Sequence, residues 1–282
     1  MDQIKTRNEN SGARIRYAGV LWESAVGCHI AARFVGFVML LVVSGNEIPA
    51  QAQVPVAIEL VLAVDTSLSV DDEEFALQME GIAWAFRSPE IIALIGERQG
   101  VAVTLFQWSS AVDPDFVIPW RLLRDPASIL AFADQVERAQ REPSRGFTAM
   151  GEAINVAIDL IETNPVAGRE RKIDVSADGR NNSGPTPRDT WQRASRLGIG
   201  INGLPILVDT YNLDTYFREK VIAGPAAFVE IAADYNDFAR VFQRKLRREL
   251  TPFVSDNRGL PKGMNQSPSL LVRRDAETWA RR

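Results

Sequence analysis

Asp65-Thr66-Ser67-Leu68-Ser69 sets one carboxylate and two hydroxyls at alternate positions, within reach of one another in a tight loop. Thr148 and the pair Asp178-Gly179 are the other candidates in the chain. Two carboxylates and three hydroxyls form a hard, all-oxygen donor set. That set suits a small divalent cation, because Mg²⁺ accepts six oxygens and keeps several waters, so few protein carboxylates suffice. Softer chemistry has no material to work with. The only cysteine is Cys28 and the only histidine is His29, both in an N-terminal stretch expected to be removed. The remainder has no disulfide framework, thiolate nucleophile, histidine base or Cys/His zinc site.

Elements that deliver these residues to one place can be read around them. Ile58 to Val64 is an almost unbroken apolar run ending at Asp65, as expected of a strand buried on both faces of a parallel sheet. Phe75, Met79, Ile82 and Phe86 recur at helical spacing, with Pro89 marking the end region and Ser69 to Asp72 reading as a capping box. Val101 to Trp108 is a second strand, Phe116 to Trp120 a short extended piece, and Ser128 to Arg138 a helix. A loop from Arg141 to Phe147 delivers Thr148 to a helix over Met150 to Glu162, whose Ile154, Ala157, Ile158 and Ile161 form a stripe. The strand from Arg171 ends at Asp178. A helix spans Pro187 to Leu197, and an irregular or edge-like strand Ile201 to Val208. A helix over Asp214 to Ile222, a strand over Ala227 to Ala232 and an amphipathic helix from Phe238 to Leu250 complete the pattern. Alternating strands and helices imply a doubly wound α/β fold, a mostly parallel sheet with helices on both faces, in a single domain.

The ends read differently. Val35 to Val43 is an apolar run with Arg33 before it and Ala50-Gln51-Ala52 after it. This is the pattern of a secretory signal over 1–52 cleaved after Ala52, the alternative being an uncleaved anchor. The domain then spans 53–250, with a polar, Arg-ended and poorly ordered tail over 251–282. Export places the protein in the bacterial periplasm or outside the cell, with no stable membrane span after cleavage. A net charge of −4 argues against a nucleic-acid partner.

Asp65-x-Ser67-x-Ser69, Thr148 and Asp178-Gly179 together resemble the metal-ion-dependent adhesion site of von Willebrand factor A domains. Leu77 to Glu90, Trp108-Ser109, Ile173 to Gly184, Ile201 to Ile206 and Arg244 to Leu250 are further similar to one bacterial exported family of uncharacterised function. The resemblance covers about Val56 to Leu250. It implies a Rossmann-like sheet with a divalent ion at its top, Mg²⁺ or else Mn²⁺ or Ca²⁺. Ser67, Ser69 and Thr148 would then be direct ligands, with Asp65 and Asp178 bound directly or through water. One position would stay open to a carboxylate from a protein partner. Ala177 departs from the glycine that relatives carry there, which bears on loop flexibility. Asn181 and Asn182, just past the site, read as turn residues or as supports of it.

The function expected is a non-enzymatic, metal-dependent protein-binding module of the cell envelope. A metal-assisted hydrolase and a structural domain with an unused site are the alternatives. No Walker loop and no Gly-x-Gly-x-x-Gly follows the first strand, and Ser67 stands where a haloacid-dehalogenase-like phosphatase needs a second Asp.

Overall fold

A computed structural model of the chain describes residues 53–252, apart from 99, 144–145 and 209. The expected signal segment and nearly all of the tail lie outside the described residues. Five strands form one sheet in the order β3-β2-β1-β4-β5. They are β1 Val54–Asp65, β2 Val101–Trp108, β3 Val117–Leu123, β4 Val166–Ala177 and β5 Ile199–Pro205. β1 lies parallel to β2 and β4, β4 lies parallel to β5, and only β3 runs antiparallel, against β2.

β1 is the centre of the sheet, and its last ten residues are all buried. Ile58, Leu60, Leu62 and Val64 turn to one face, where they meet apolar residues of α1 (Asp72–Arg87), α2 (Pro89–Gly96), α3 (Pro126–Glu137) and α7 (Tyr235–Leu250). Val61 and Ala63 turn to the other, against α4 (Met150–Glu162), α5 (Pro187–Arg196) and α6 (Leu213–Tyr216). Apolar residues on both faces of a strand explain why its sequence shows a run rather than an alternation. The architecture is the doubly wound α/β fold expected from the alternation of strands and helices. Among the described residues, no helix is long and apolar enough to cross a membrane.

Several local expectations are corrected. Pro89 does not merely mark where α1 ends; it is the first residue of a separate helix, a position its fixed φ and missing N–H favour. The cap of α1 is Asp71, in a reciprocal pair with Glu74 at 2.9 Å each way. Ser69 is left free to turn elsewhere. Ala227 to Ala232 is not a strand but touches the sheet through single bridges, Gly203 with Val229 and Ile206 with Ala232. Gly224 and Ala226 take positive φ there, and the Phe228 N–H donates to the Asn202 side chain instead of a ladder. This segment nevertheless covers the outer side of β5, whose seven residues are all buried.

Candidate metal centre

The chain runs from β1 to β2 on one side and reaches β4 on the other, so the sheet reverses its winding order beside β1. In open α/β sheets the crevice at such a reversal, outside the carboxyl ends of the strands, is where ligands bind. Asp65 closes β1, Asp178 follows the last residue of β4, and Thr148 precedes α4 by two residues.

The five side chains lie together. The Ser67 N–H donates to Asp65 Oδ1 at 2.7 Å. The Ser67 and Ser69 hydroxyls are 3.4 Å apart, and Thr148 Oγ1 donates to Ser67 Oγ at 3.3 Å. Ser69 Oγ donates to Asp178 Oδ1 at 2.7 Å. Residues separated by as many as 109 positions therefore share one small constellation. Asp65, Ser67, Thr148 and Asp178 are buried, whereas Ser69 stands at the surface.

The loops are pinned by their backbones. Thr66 N–H donates to the Trp108 carbonyl, Leu68 N–H to Gly146 and Ala149 N–H to Ser109. Asn182 exchanges two bonds with Thr148: its Oδ1 accepts the Thr148 N–H at 2.8 Å, and its own N–H donates to the Thr148 carbonyl at 3.0 Å. Asn181 Oδ1 accepts the Gly151 N–H at 3.0 Å. α4 has no capping side chain of its own at Ala149, so Asn181 supplies from another loop the acceptor its first turn lacks. Neither asparagine is left-handed; both act as supports of the Thr148 segment.

Gly151 makes this closure feasible, since a Cβ there would run into the Pro185 carbonyl and the backbone of Thr186. Gly151→Ala must push the Asn181–Thr186 loop away from α4. The expected cost is about 1–3 kcal/mol, the range for overpacking a tight contact, together with weaker cation binding. Urea denaturation and a Mg²⁺ titration of the variant check both.

Electrostatics mark the site as unfinished by protein atoms alone. Asp65 Oδ2 is buried without a hydrogen-bond partner. Burial first, then the nearby Asp178 carboxylate, pushes the Asp65 carboxyl up to about 8, against the hydrogen bonds from Ser67. Tyr235, the first residue of α7, brings a buried hydroxyl to the same place. It faces Asp178 and Asp65 without a well-aligned hydrogen bond, and burial followed by these carboxylates raises its pKa. The sequence reading of this helix starts at Phe238 and does not single out Tyr235. Its position one residue after the capping Asp234 was the available signal. Gln78 of α1, also unmarked in the sequence, donates to the Asp65 carbonyl at 3.4 Å.

The donor set thus fits a hard cation. An orphaned carboxylate oxygen, a second carboxylate and three hydroxyls converge, and a divalent ion would compensate both negative charges. Among the described residues no three acidic, histidine or cysteine side chains cluster.

A family model described as "Protein of unknown function (DUF1194)" matches residues 55–254. The chain belongs to this family. The match takes in all five strands but for the first residue of β1, and every residue of the constellation. No curated protein matches. Solved structures similar to this member of the family include proximal thread matrix protein 1 from the mussel byssus, at 11% identity, covering 71% of this chain and 47% of that one with a TM-score of 0.49. A von Willebrand factor type A protein from Catenulispora acidiphila is 18% identical over 69% of this chain and 42% of its own, with a TM-score of 0.48. An aerotolerance-related membrane protein from Bacteroides fragilis is 18% identical over 69% of this chain and 98% of its own, with a TM-score of 0.43. The chain spans less than half the length of the first two.

Proposed function

We propose that this chain is a metal-ion-dependent protein-binding module of the bacterial cell envelope. Ser67, Ser69 and Thr148 would hold Mg²⁺ through their hydroxyls, with Asp65 and Asp178 bound directly or through water. Mn²⁺ and Ca²⁺ are hard ions of the same oxygen chemistry. The observation that carries the reading is the buried, unpartnered Asp65 Oδ2 beside these oxygens. The three hydroxyls are neutral, so with Asp65 and Asp178 held through water the inner shell would leave the ion positive charge to attract an acidic group from a partner. The chain's own residues fix that arrangement: Asn182 sets the Thr148 backbone, and Ser69 orients Asp178. No base beyond the two carboxylates belongs to the set, so binding rather than turnover is the reading. Export through the 1–52 segment, to the periplasm or beyond the cell, belongs to the same proposal.

The test is retention of envelope proteins on the immobilised chain. A partner should be held in Mg²⁺, released by a chelator and never held by Asp65→Ala. Retention indifferent to chelator would overturn the metal-dependent reading, and phosphoester or peptide turnover by the purified chain would establish the hydrolase instead.

A further inference from the structure

Large apolar side chains are scarce on this surface, and their placement is uneven. Seven are exposed among the described residues; two of them, Leu68 and Phe147, adjoin constellation residues in the chain, and a third, Tyr211, lies on a segment tied to the loop after Asp178. Leu68, 76% exposed, stands between Ser67 and Ser69. Phe147, 68% exposed, precedes Thr148, and the Leu68 N–H bonded to Gly146 holds these two segments side by side. Tyr211 is 83% exposed, and its carbonyl accepts from Arg180, two residues beyond Asp178, at 2.6 Å. Single exposed apolar residues are ordinary, but a group around one polar centre marks an interaction surface.

A cavity of about 420 Å³ adjoins this group. Ala111, Val112, Ala149, Val156 and Pro185 line it, with Glu152 also in its wall. Ala149 follows Thr148, and Pro185 ends the loop that begins at Asp178, so the cavity lies beside the constellation. Its lining is mainly apolar and offers room for one large side chain.

Charge selects among anionic ligands. The exposed Arg180 guanidinium favours an acid on its side. Asp71, Asp72, Glu73 and Glu74 at the start of α1 would repel a polyanion such as nucleic acid. A single carboxylate in an apolar surround satisfies both conditions. Resting on the metal-dependent reading above, we propose that the partner is a segment of another protein in which an acidic residue is flanked by large apolar side chains, one of which enters the cavity. Leu68, Phe147 and Tyr211 select the flanks; the cation set selects the acid.

Two labelled peptides of equal length and charge test this by fluorescence anisotropy against the full chain in millimolar Mg²⁺. One carries a glutamate between leucine and phenylalanine, the other a glutamate between glycines. The apolar-flanked peptide should bind about tenfold tighter, as burial of one or two apolar side chains implies. The variant Leu68→Ser/Phe147→Ser/Tyr211→Ser should lose that preference while keeping the Mg²⁺-dependent rise in melting temperature. Equal affinities, no binding of either peptide, or a preference undiminished in the variant would overturn the proposal. Mg²⁺-dependent self-association abolished by Phe147→Ser would also overturn it, assigning these side chains to a second copy. If Mg²⁺ fails to raise the melting temperature of the parent chain, the metal reading itself falls. If it does raise it and the peptides do not differ, only the partner chemistry falls.

Discussion

Lys245→Met should cost the domain about 3–5 kcal/mol, the price of leaving buried charge without its partner. Lys245 of α7 is fully buried, with Nζ 2.6 Å from Asp174 Oδ1 and 2.7 Å from Glu249 Oε1. Asp174 and Glu249 are themselves buried, and Asn202 Nδ2 donates to Glu249 Oε1 at 2.9 Å. Burial alone would push the ammonium pKa down, but Asp174 and Glu249 outweigh it and the net shift is upward. Asp174 is raised to about 7, first by burial and then by Glu249, with Lys245 opposing. Methionine fills the volume and removes that opposition, so two carboxylates share an apolar site with no counter-charge.

The pH dependence has a definite sign. A carboxyl whose folded pKa lies above its unfolded value near 4 is destabilising above that value, increasingly so as pH rises towards the folded pKa. Without Lys245 the Asp174 pKa must climb further. The deficit of Lys245→Met should therefore be larger at pH 8 than at pH 5. Removing the stranded charges as well, in Lys245→Met/Asp174→Leu/Glu249→Gln, should recover most of the loss, since apolar replacements of buried ion clusters are often neutral. Urea denaturation of both variants at the two pH values decides the matter. A loss under about 1 kcal/mol for the single substitution would mean the cluster is hydrated rather than dry.

Asp65 behaves oppositely in the absence of metal. Asp65→Asn keeps the shape and the Ser67 N–H acceptor but discards a buried carboxyl whose ionisation burial and Asp178 both oppose. The metal-free variant should therefore be more stable than the parent at neutral pH, by about 1–3 kcal/mol on the usual scale for relieving an unsatisfied buried polar group. Mg²⁺ should reverse the order. At a hundred times its dissociation constant a ligand that binds only the folded state adds about 2.7 kcal/mol, or roughly 5–10 °C for a domain of this size. Parent protein should show that rise in a thermal melt; Asp65→Asn and Asp65→Ala should not. Equal responses of parent and variants would remove Asp65 from the ligand set, and a metal-free Asp65→Asn weaker than the parent would contradict the electrostatic account of the site.

The two clusters differ in how readily the sequence discloses them. The Asp65 loop is legible because an apolar run ends at it, so its polar residues stand out at the tip of a buried strand. α4 is legible at both ends, Met150 and Glu162, because its stripe is strict and loop residues flank it. Asp174 was equally open to inspection, as a charge between Ile173 and Val175 in a strand buried on both faces. Its partner was not, because Lys245 sits among Val241, Phe242 and Leu246 on a helix with abundant charge. Periodicity marks a face as buried without saying which charged member goes in with it. The Ala227–Ala232 stretch misleads for a related reason. Its apolar content reflects cover for β5, while positive φ at Gly224 and Ala226 and the Asn202 side chain take the backbone out of register. The convergence of Thr148 on Ser67 depends on Asn182 and on the lack of a side chain at Gly151, neither of which has a spacing signature.

Ser67 meets Thr148 across 81 intervening steps of chain, and Ser69 meets Asp178 across 109. No short fragment contains the constellation, and an unfolded polypeptide can present a cation with only one of the two carboxylates at a time. On the metal-dependent reading proposed above, ion capture would report that β1, the start of α4 and the end of β4 have come together. A chelator-sensitive signal would then serve as a folding assay for the β1–β4 centre of the sheet, and a truncation anywhere before Asp178 would be silent in it however much helix it retained.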